Sequence, residues 1–430
     1  MNPRVTLATT FRALRYRNFR LFVGGQLVSL VGTWMQSVAL SWLVYRLTGS
    51  AVLLGAVSFA SQIPVFVLAP AGGVLADRVR RRSVLIVTQA TAMLLAATLA
   101  AVTLLEGVSV WQIFVLGAAL GVVNAFDIPA RQAFVVEMVE RADVMNAIAL
   151  NSAMFNGARI VGPAVAGIMV ASVGEGWCFF ANAVSYLAVI AGLLRMRLPR
   201  AAAIPPAASI VAHLVEGVRF ARLTAPIRVL LLLLGLVSLV AMPYTVLMPI
   251  FADRILGSGA RGLGILMGAT GTGALIGALL LATREDVRGL GRWVAIAMGG
   301  FGLALIAFAL SRVFWLSTAL LVLVGGCMMV QMSASNTLIQ AMVPDALRGR
   351  VMALYSMMFM GLAPVGALLA GTLAERLGAP AMVAMGGVLA CGGAAAFWMR
   401  LPALRPDARQ LLLAQQAARA EHAEGRDTAA

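Results

Sequence analysis

The sequence predicts an all-α membrane protein: twelve transmembrane helices arranged as two pseudo-symmetric six-helix bundles. Three observations carry that prediction. Hydrophobic residues make up 61% of the 430-residue chain and charged residues only 12%, against roughly half and a quarter in a soluble domain. Apolar runs of the ~20 residues needed to cross a bilayer recur along nearly the whole length. One segment also occurs twice, 204 residues apart, with Met138–Gly167 aligning on Met342–Gly371. Identical residues include Ala149/Ala353, Ser152/Ser356, Phe155/Phe359, Gly157/Gly361, Gly162/Gly366 and Gly167/Gly371. A repeat of that length marks two homologous bundles, and two bundles able to rock about a central site imply a transporter.

The expected spans are roughly 20–46, 52–76, 83–105, 109–134, 145–172, 177–197, 226–252, 261–283, 291–310, 313–339, 351–374 and 380–400. Glycine, proline and charge clusters such as Thr48-Gly49-Ser50 and Gly174-Glu175-Gly176 divide them. The resulting organisation is an N-terminal segment (1–19), a first six-helix bundle (20–197), a linker (198–225), a second bundle (226–400) and a flexible tail (401–430). Within the linker, Ile210, Leu214, Val215 and Val218 oppose Glu216, Arg219 and Arg222, the pattern of an amphipathic helix in the membrane interface. The first apolar run is too long for the core of a signal peptide and is kept as a span.

The net charge of +16 comes from 33 basic residues, all arginine. By the expected topology 27 of them fall on one face, five on the other (Arg46, Arg254, Arg261, Arg312, Arg376), and Arg159 lies within a span. That is the positive-inside pattern, which places both termini in the cytoplasm of a bacterial inner membrane. It calls for membrane lipids rather than nucleic acid as the basic surface's partner. Cys178, Cys327 and Cys391 are scattered and give neither a disulfide framework nor a metal site. A chain without lysine has no P-loop, and no hydrolase elbow or zinc helix is present, so no enzyme activity is expected.

Gly72-Gly73-Val74-Leu75-Ala76-Asp77-Arg78-Val79-Arg80-Arg81-Arg82 is the strongest local signal. Small residues allow close helix approach, after which Asp77 can dock on a helix N-terminus or an arginine as a charge lock. A turn that only fixes orientation fits the same residues. This stretch resembles the signature of the major facilitator superfamily between spans two and three, matched at Gly73, Asp77, Arg78, Arg81 and Arg82. The second copy, Thr283–Arg288, keeps Asp286 and Arg288 but has Ala282 in place of the glycine. The resemblance covers about 15–400 and implies that superfamily's fold.

In span five, Gly157-Ala158-Arg159-Ile160-Val161-Gly162-Pro163-Ala164-Val165-Ala166-Gly167 is similar to the superfamily's antiporter motif. Proline at 163 removes a backbone hydrogen bond and favours a kink. The resemblance implies a seal against proton leak and favours export over uptake; ordinary small-residue packing also fits. The run Phe11-Arg12-Ala13-Leu14-Arg15-Tyr16-Arg17-Asn18-Phe19-Arg20, with Gly32–Gln36 and Phe126–Ala133, resembles the subgroup containing the enterobactin exporter. It implies proton-coupled export without fixing the substrate; the expected cargo is a small organic, amphipathic or siderophore-like compound. A facilitator-type nutrient importer and a lysophospholipid flippase share the architecture and stay open.

Asp127 is the one acidic residue placed well inside an expected span, and an intramembrane carboxylate is functional by default. Arg131, one turn on, is its expected partner. Protonation of Asp127 would break the pair and couple protons to motion; a static pair orienting the loop with Glu137, Glu140 and Arg141 is the rival reading. Arg159 is the other intramembrane charge. Substrate contacts are expected among Gln26, Thr33, Gln36, Asn124, Asn151, Asn156, Tyr244, Gln331 and Asn336, each of which also suits interhelical hydrogen bonding. With 23 methionines the cavity suits a large or amphipathic ligand. The expected partners are a small-molecule substrate and protons acting on a monomer, with the proton gradient as energy source and no cofactor or metal.

Overall fold

The computed structural model describes residues 10–197, 210–284 and 289–427. Among them are twelve helices long and apolar enough to cross a membrane, and no strand. The first six are Arg17–Thr48, Ala51–Arg78, Arg81–Leu104, Val110–Glu137, Val144–Val173 and Glu175–Arg195. The seventh runs from Ala225 to Ile255, and the eighth to tenth are Gly259–Ala282, Leu290–Leu310 and Phe314–Met342. The eleventh runs from Asp345 to Leu377 in three pieces, and the twelfth starts at Ala379. That last helix continues through Pro402 and Pro406 to Asp427, in alanine-, leucine- and glutamine-rich sequence with high helix propensity.

Local chemistry sets the boundaries. Ser50 caps the second span by accepting from Leu53 N at 3.3 Å. Ser109 and Gln112 form a reciprocal capping box at the start of the fourth. Gly174 and Gly378, one repeat apart, both adopt positive φ (89° and 87°) where a span turns directly into the next.

The chain divides into two compact units, Met1–Pro206 with Val246–Gly271, and Ala207–Thr245 with Thr272–Ala430. In the first, the tightest seam joins the second and fourth spans. A Cβ on Gly72 would lie 2.1 Å from Ala125 O, and one on Gly121 would lie 2.3 Å from Ser61 O. Gly73 has nothing within 4 Å of such a Cβ. The neighbouring Gly72 therefore permits the close approach, and the motif glycine does not.

In the second unit, the seventh and eleventh spans are interrupted by π-helical turns at Val237–Ala241 and Met357–Gly361. Each inserts a residue into the helical ladder and leaves carbonyls without their usual donors. The buried Ser238 hydroxyl donates to Phe359 O at 2.5 Å, joining the two interruptions. The linker helix, Ile210–Leu223, presses Gly217 against the Arg350 backbone and pairs Glu216 with Arg350. Among its described side chains Gly217 and Ala221 are buried, while Val215, expected on the apolar face, is 62% exposed. The Gly217 and Glu216 contacts hold one side of this helix against the eleventh span. Ile210 and Leu214 lie outside the described side chains, as do Asp286 and Arg288 outside the described residues.

Candidate transport site

Asp127 is 3% exposed. Its Oδ1 accepts from Thr88 Oγ1 and Gln89 Nε2, each at 2.8 Å, both from the third span. Its Oδ2 faces Arg131 Nε at 3.4 Å. The carboxylate is thus caged by two neutral donors across the helix seam and one cation on its own helix. The loop residues of the rival static reading go elsewhere: Glu137 accepts from Arg81 at 2.7 Å, and Glu140 lies 4.0 Å from Arg15. Thr88 and Gln89 are functional candidates absent from the sequence reading. Uncharged polar residues are ordinary in a span, and only the packing brings these two to Asp127.

The gating loop centres on Arg81. Besides Glu137, it donates to Asp77 Oδ1 at 3.3 Å and to Ala76 O at 3.2 Å, tying the second, third and fourth spans together. Arg82 donates to Leu194 O at 2.9 Å at the end of the sixth span. Asp77 is exposed, with Arg81 as its ion-pair partner, and Arg78 is exposed.

In the antiporter motif the fifth span stays helical through Pro163. A Cβ on Gly162 would meet Trp34 Cβ at 2.5 Å, and one on Gly167 would meet Gly264 Cα at 2.9 Å, so both glycines sit in helix seams. Gly157 faces open space. The Arg159 guanidinium lies over the Trp34 ring, 5.8 Å from its centroid.

The substrate-contact candidates divide by burial. Thr33 is exposed, whereas Gln26 and Gln36 are buried, Gln36 accepting from Asn182 at 2.6 Å across to the sixth span. Asn124 and Asn151 are half-buried, and Asn156 donates to Ser152 O on its own helix. Tyr244 is buried with its ring edge against Phe301. Asn336 accepts from Gln340. Gln331 is 1% exposed, and neither its amide oxygen nor its nitrogen has a partner among the described residues.

The N-terminal arginine motif closes onto the loop between the fourth and fifth spans. Asp143, fully buried, takes Arg12, Arg15 at 2.8 Å and the Tyr16 hydroxyl at 2.8 Å. Asn146 accepts from Ala13 N and donates to Thr10 O, each at 2.9 Å.

Residues from the arginine-poor face form a second cluster within the first unit. The Tyr45 hydroxyl donates to Asp253 at 2.7 Å, Arg254 donates to Gly49 O at 3.1 Å, and Arg46 pairs with Glu175 at 2.7 Å. Asp253 sits on a π-helical turn, Phe251–Ile255. A hydrogen bond to a charged group contributes about 1.5–3 kcal/mol. Tyr45→Phe should therefore speed hydrogen–deuterium exchange across Phe251–Leu256 by roughly tenfold or more. Exchange at the wild-type rate would show that this clasp holds nothing closed.

A profile described as transmembrane secretion effector matches residues 8–422. The chain belongs to that family, within the major facilitator superfamily. Among curated members, the staphyloferrin A transporter of Staphylococcus aureus is 24% identical over 84% of this chain and 90% of its own. The multidrug efflux pump Tap of Mycolicibacterium fortuitum is 29% identical over 83% and 89%. The enterobactin exporter EntS of Shigella boydii is 28% identical over 84% and 86%. The crystal structure of an aspartate-to-alanine mutant of the nucleoside transporter NupG superposes with a TM-score of 0.70 at 14% identity, over 91% of this chain and 99% of that one, which shows the shared fold. This secretion-effector family member is thus a multi-pass membrane transporter and not an enzyme.

Proposed function

We propose that the protein is a proton-coupled antiporter that exports a small organic, amphipathic or siderophore-like compound by alternating access. It works as a monomer in the inner membrane with both termini cytoplasmic. The observation that carries the reading is Asp127: a carboxylate 3% exposed within a membrane span, caged by Thr88, Gln89 and Arg131. Burying such a charge is costly, and a group that alternates between ionised and neutral forms gives that cost a use. Proton entry neutralises Asp127 and loosens Arg131; proton exit restores the pair. The relatives' names, siderophore and multidrug transporters among them, support the substrate class.

The loop hub and the antiporter motif complete the mechanism. Arg81, through Asp77 and Glu137, holds three helix ends together in one state and releases them in the other. The Gly162 and Gly167 seams, where an added Cβ would meet Trp34 and Gly264, would shut water out of the fifth span. The test is made in everted vesicles carrying the protein, acidified inside and reporting ΔpH through a quenched dye. Enterobactin, staphyloferrin A and the amphipathic cation ethidium are added in turn. At least one should release the quench faster than in vesicles without the protein. Transport of a probe with no movement of protons would overturn the coupling.

A further inference from the structure

The amide of Gln89 has one end committed and one end idle. Nε2 donates to Asp127 Oδ1 at 2.8 Å, while Oε1 is buried without a partner among the described residues. A buried carbonyl without a donor is destabilising, so its presence needs a reason. A half-turn of the amide exchanges Oε1 and Nε2 almost in place. The far end then meets the same surroundings, which hold neither end by a hydrogen bond. The surroundings therefore leave the choice of orientation to whatever faces the near end.

That group is Asp127, and its needs invert with its proton. Ionised, Oδ1 requires donors; neutral, an Oδ1–H requires an acceptor. We propose that Gln89 reads the protonation state of Asp127, donating through Nε2 to the carboxylate and turning to accept through Oε1 from the carboxylic acid. This inference rests on the reading of Asp127 as the coupling carboxylate. Thr88 is built for the same exchange: its Oγ1 lies 2.8 Å from Asp127 Oδ1 and 3.1 Å from Leu85 O, so its hydrogen can return to the backbone. Thr88 and Gln89 are positioning residues. Among the described residues, Arg131 on its own helix is the ion-pair partner of Asp127, and Tyr186 of the sixth span is a titratable group near enough to interact with both.

The second half of the chain supplies a natural contrast. The tenth span starts 204 residues after the fourth, Phe314 against Val110, and the ninth starts 209 after the third, Leu290 against Arg81. By those offsets Gln331 and Ser335 stand for Asp127 and Arg131, while Ala297 and Met298 stand for Thr88 and Gln89. Gln331 and the Ser335 hydroxyl are buried and unpartnered among the described residues. Ala297 and Met298, also buried, bring no hydrogen-bonding group. Where the carboxylate is gone, the cage is gone too.

The experiment is pH-difference infrared spectroscopy of the purified protein in lipid nanodiscs, with isotopically labelled glutamine marking the amide bands. The wild type should show a carboxyl band that grows on acidification and a glutamine band that shifts with it. Asp127→Asn should remove both, and Gln89→Met should remove only the second. In proton-driven vesicles Gln89→Met should slow coupled transport of whichever probe releases the quench about tenfold, the effect of one lost hydrogen bond. A Thr88→Val loss restored by Thr88→Ser would place the hydroxyl in the same role. A wild-type carboxyl band that titrates while every glutamine band stays still would overturn the inference and leave the coupling role of Asp127 standing. A carboxyl band that survives Asp127→Asn would instead remove the reading beneath it.

Discussion

Asp127→Asn is expected to abolish substrate-driven proton movement, down to the background of vesicles without the protein, while leaving the fold intact. The two side chains have the same shape. The carbonyl of the substituted amide can still accept from Thr88 and Gln89, which lie 2.8 Å from Oδ1 in the native protein. The difference falls on the other side, where an NH₂ would face Arg131 Nε across the 3.4 Å now occupied by an ion pair. Donor facing donor releases Arg131, as protonation would, but permanently. Asp127→Ala is harsher, because it also leaves the buried Thr88 hydroxyl and Gln89 amide without their acceptor, at about 1–3 kcal/mol each. The asparagine variant should therefore melt close to wild type in detergent and the alanine variant clearly lower. Wild-type proton coupling in a well-folded asparagine variant would remove Asp127 from the mechanism.

The fold was legible because it is written in composition. Twelve apolar runs gave twelve spans, and the repeat put Gly174 and Gly378 at the same kind of turn. Asp127 was legible for a similar reason: a carboxylate inside an apolar run stands out with no knowledge of its neighbours. Thr88 and Gln89 were not, since the span also carries Thr91 and Thr98, and only the helix face turned to the fourth span distinguishes them. Asp143 was hidden by its place in a loop, where an acidic residue is unremarkable until Arg12, Arg15 and Tyr16 close over it. The π-helical turns at Val237–Ala241 and Met357–Gly361 leave no mark in composition. Periodicity gives the linker helix an apolar face but cannot say which side meets the eleventh span, where Gly217 and Glu216 contact Arg350.

Gly72 and Gly73 are the sharpest case of that limit, and Gly72→Leu should have a severe effect where Gly73→Leu has a small one. Adjacent residues on a helix point about 100° apart, and the sequence alone cannot say which of two neighbouring glycines meets the fourth span. A Cβ at Gly72 would lie 2.1 Å from Ala125 O, and 3.2 Å from Phe126 Cα. These are backbone atoms, so relief requires the two helices to separate rather than a side chain to turn. Overpacking a core typically costs about 1–3 kcal/mol when side chains can adjust, and here they cannot. Separation would also displace Asp127, two residues beyond Ala125, from the donors on the third span. Gly72→Ala should thus already impair proton coupling, and Gly72→Leu should fail to yield monodisperse protein on size exclusion. At Gly73 the added carbon meets nothing within 4 Å, and replacing a mid-helix glycine by alanine gains up to about 1 kcal/mol of helix propensity. Gly73→Ala should melt at or slightly above the wild-type temperature, and Gly73→Leu should still insert and transport. Equal tolerance at the two positions would mean that the second and fourth spans do not pack through Gly72. Intolerance at Gly73 alone would assign the motif glycine a contact made only in another state of the transport cycle.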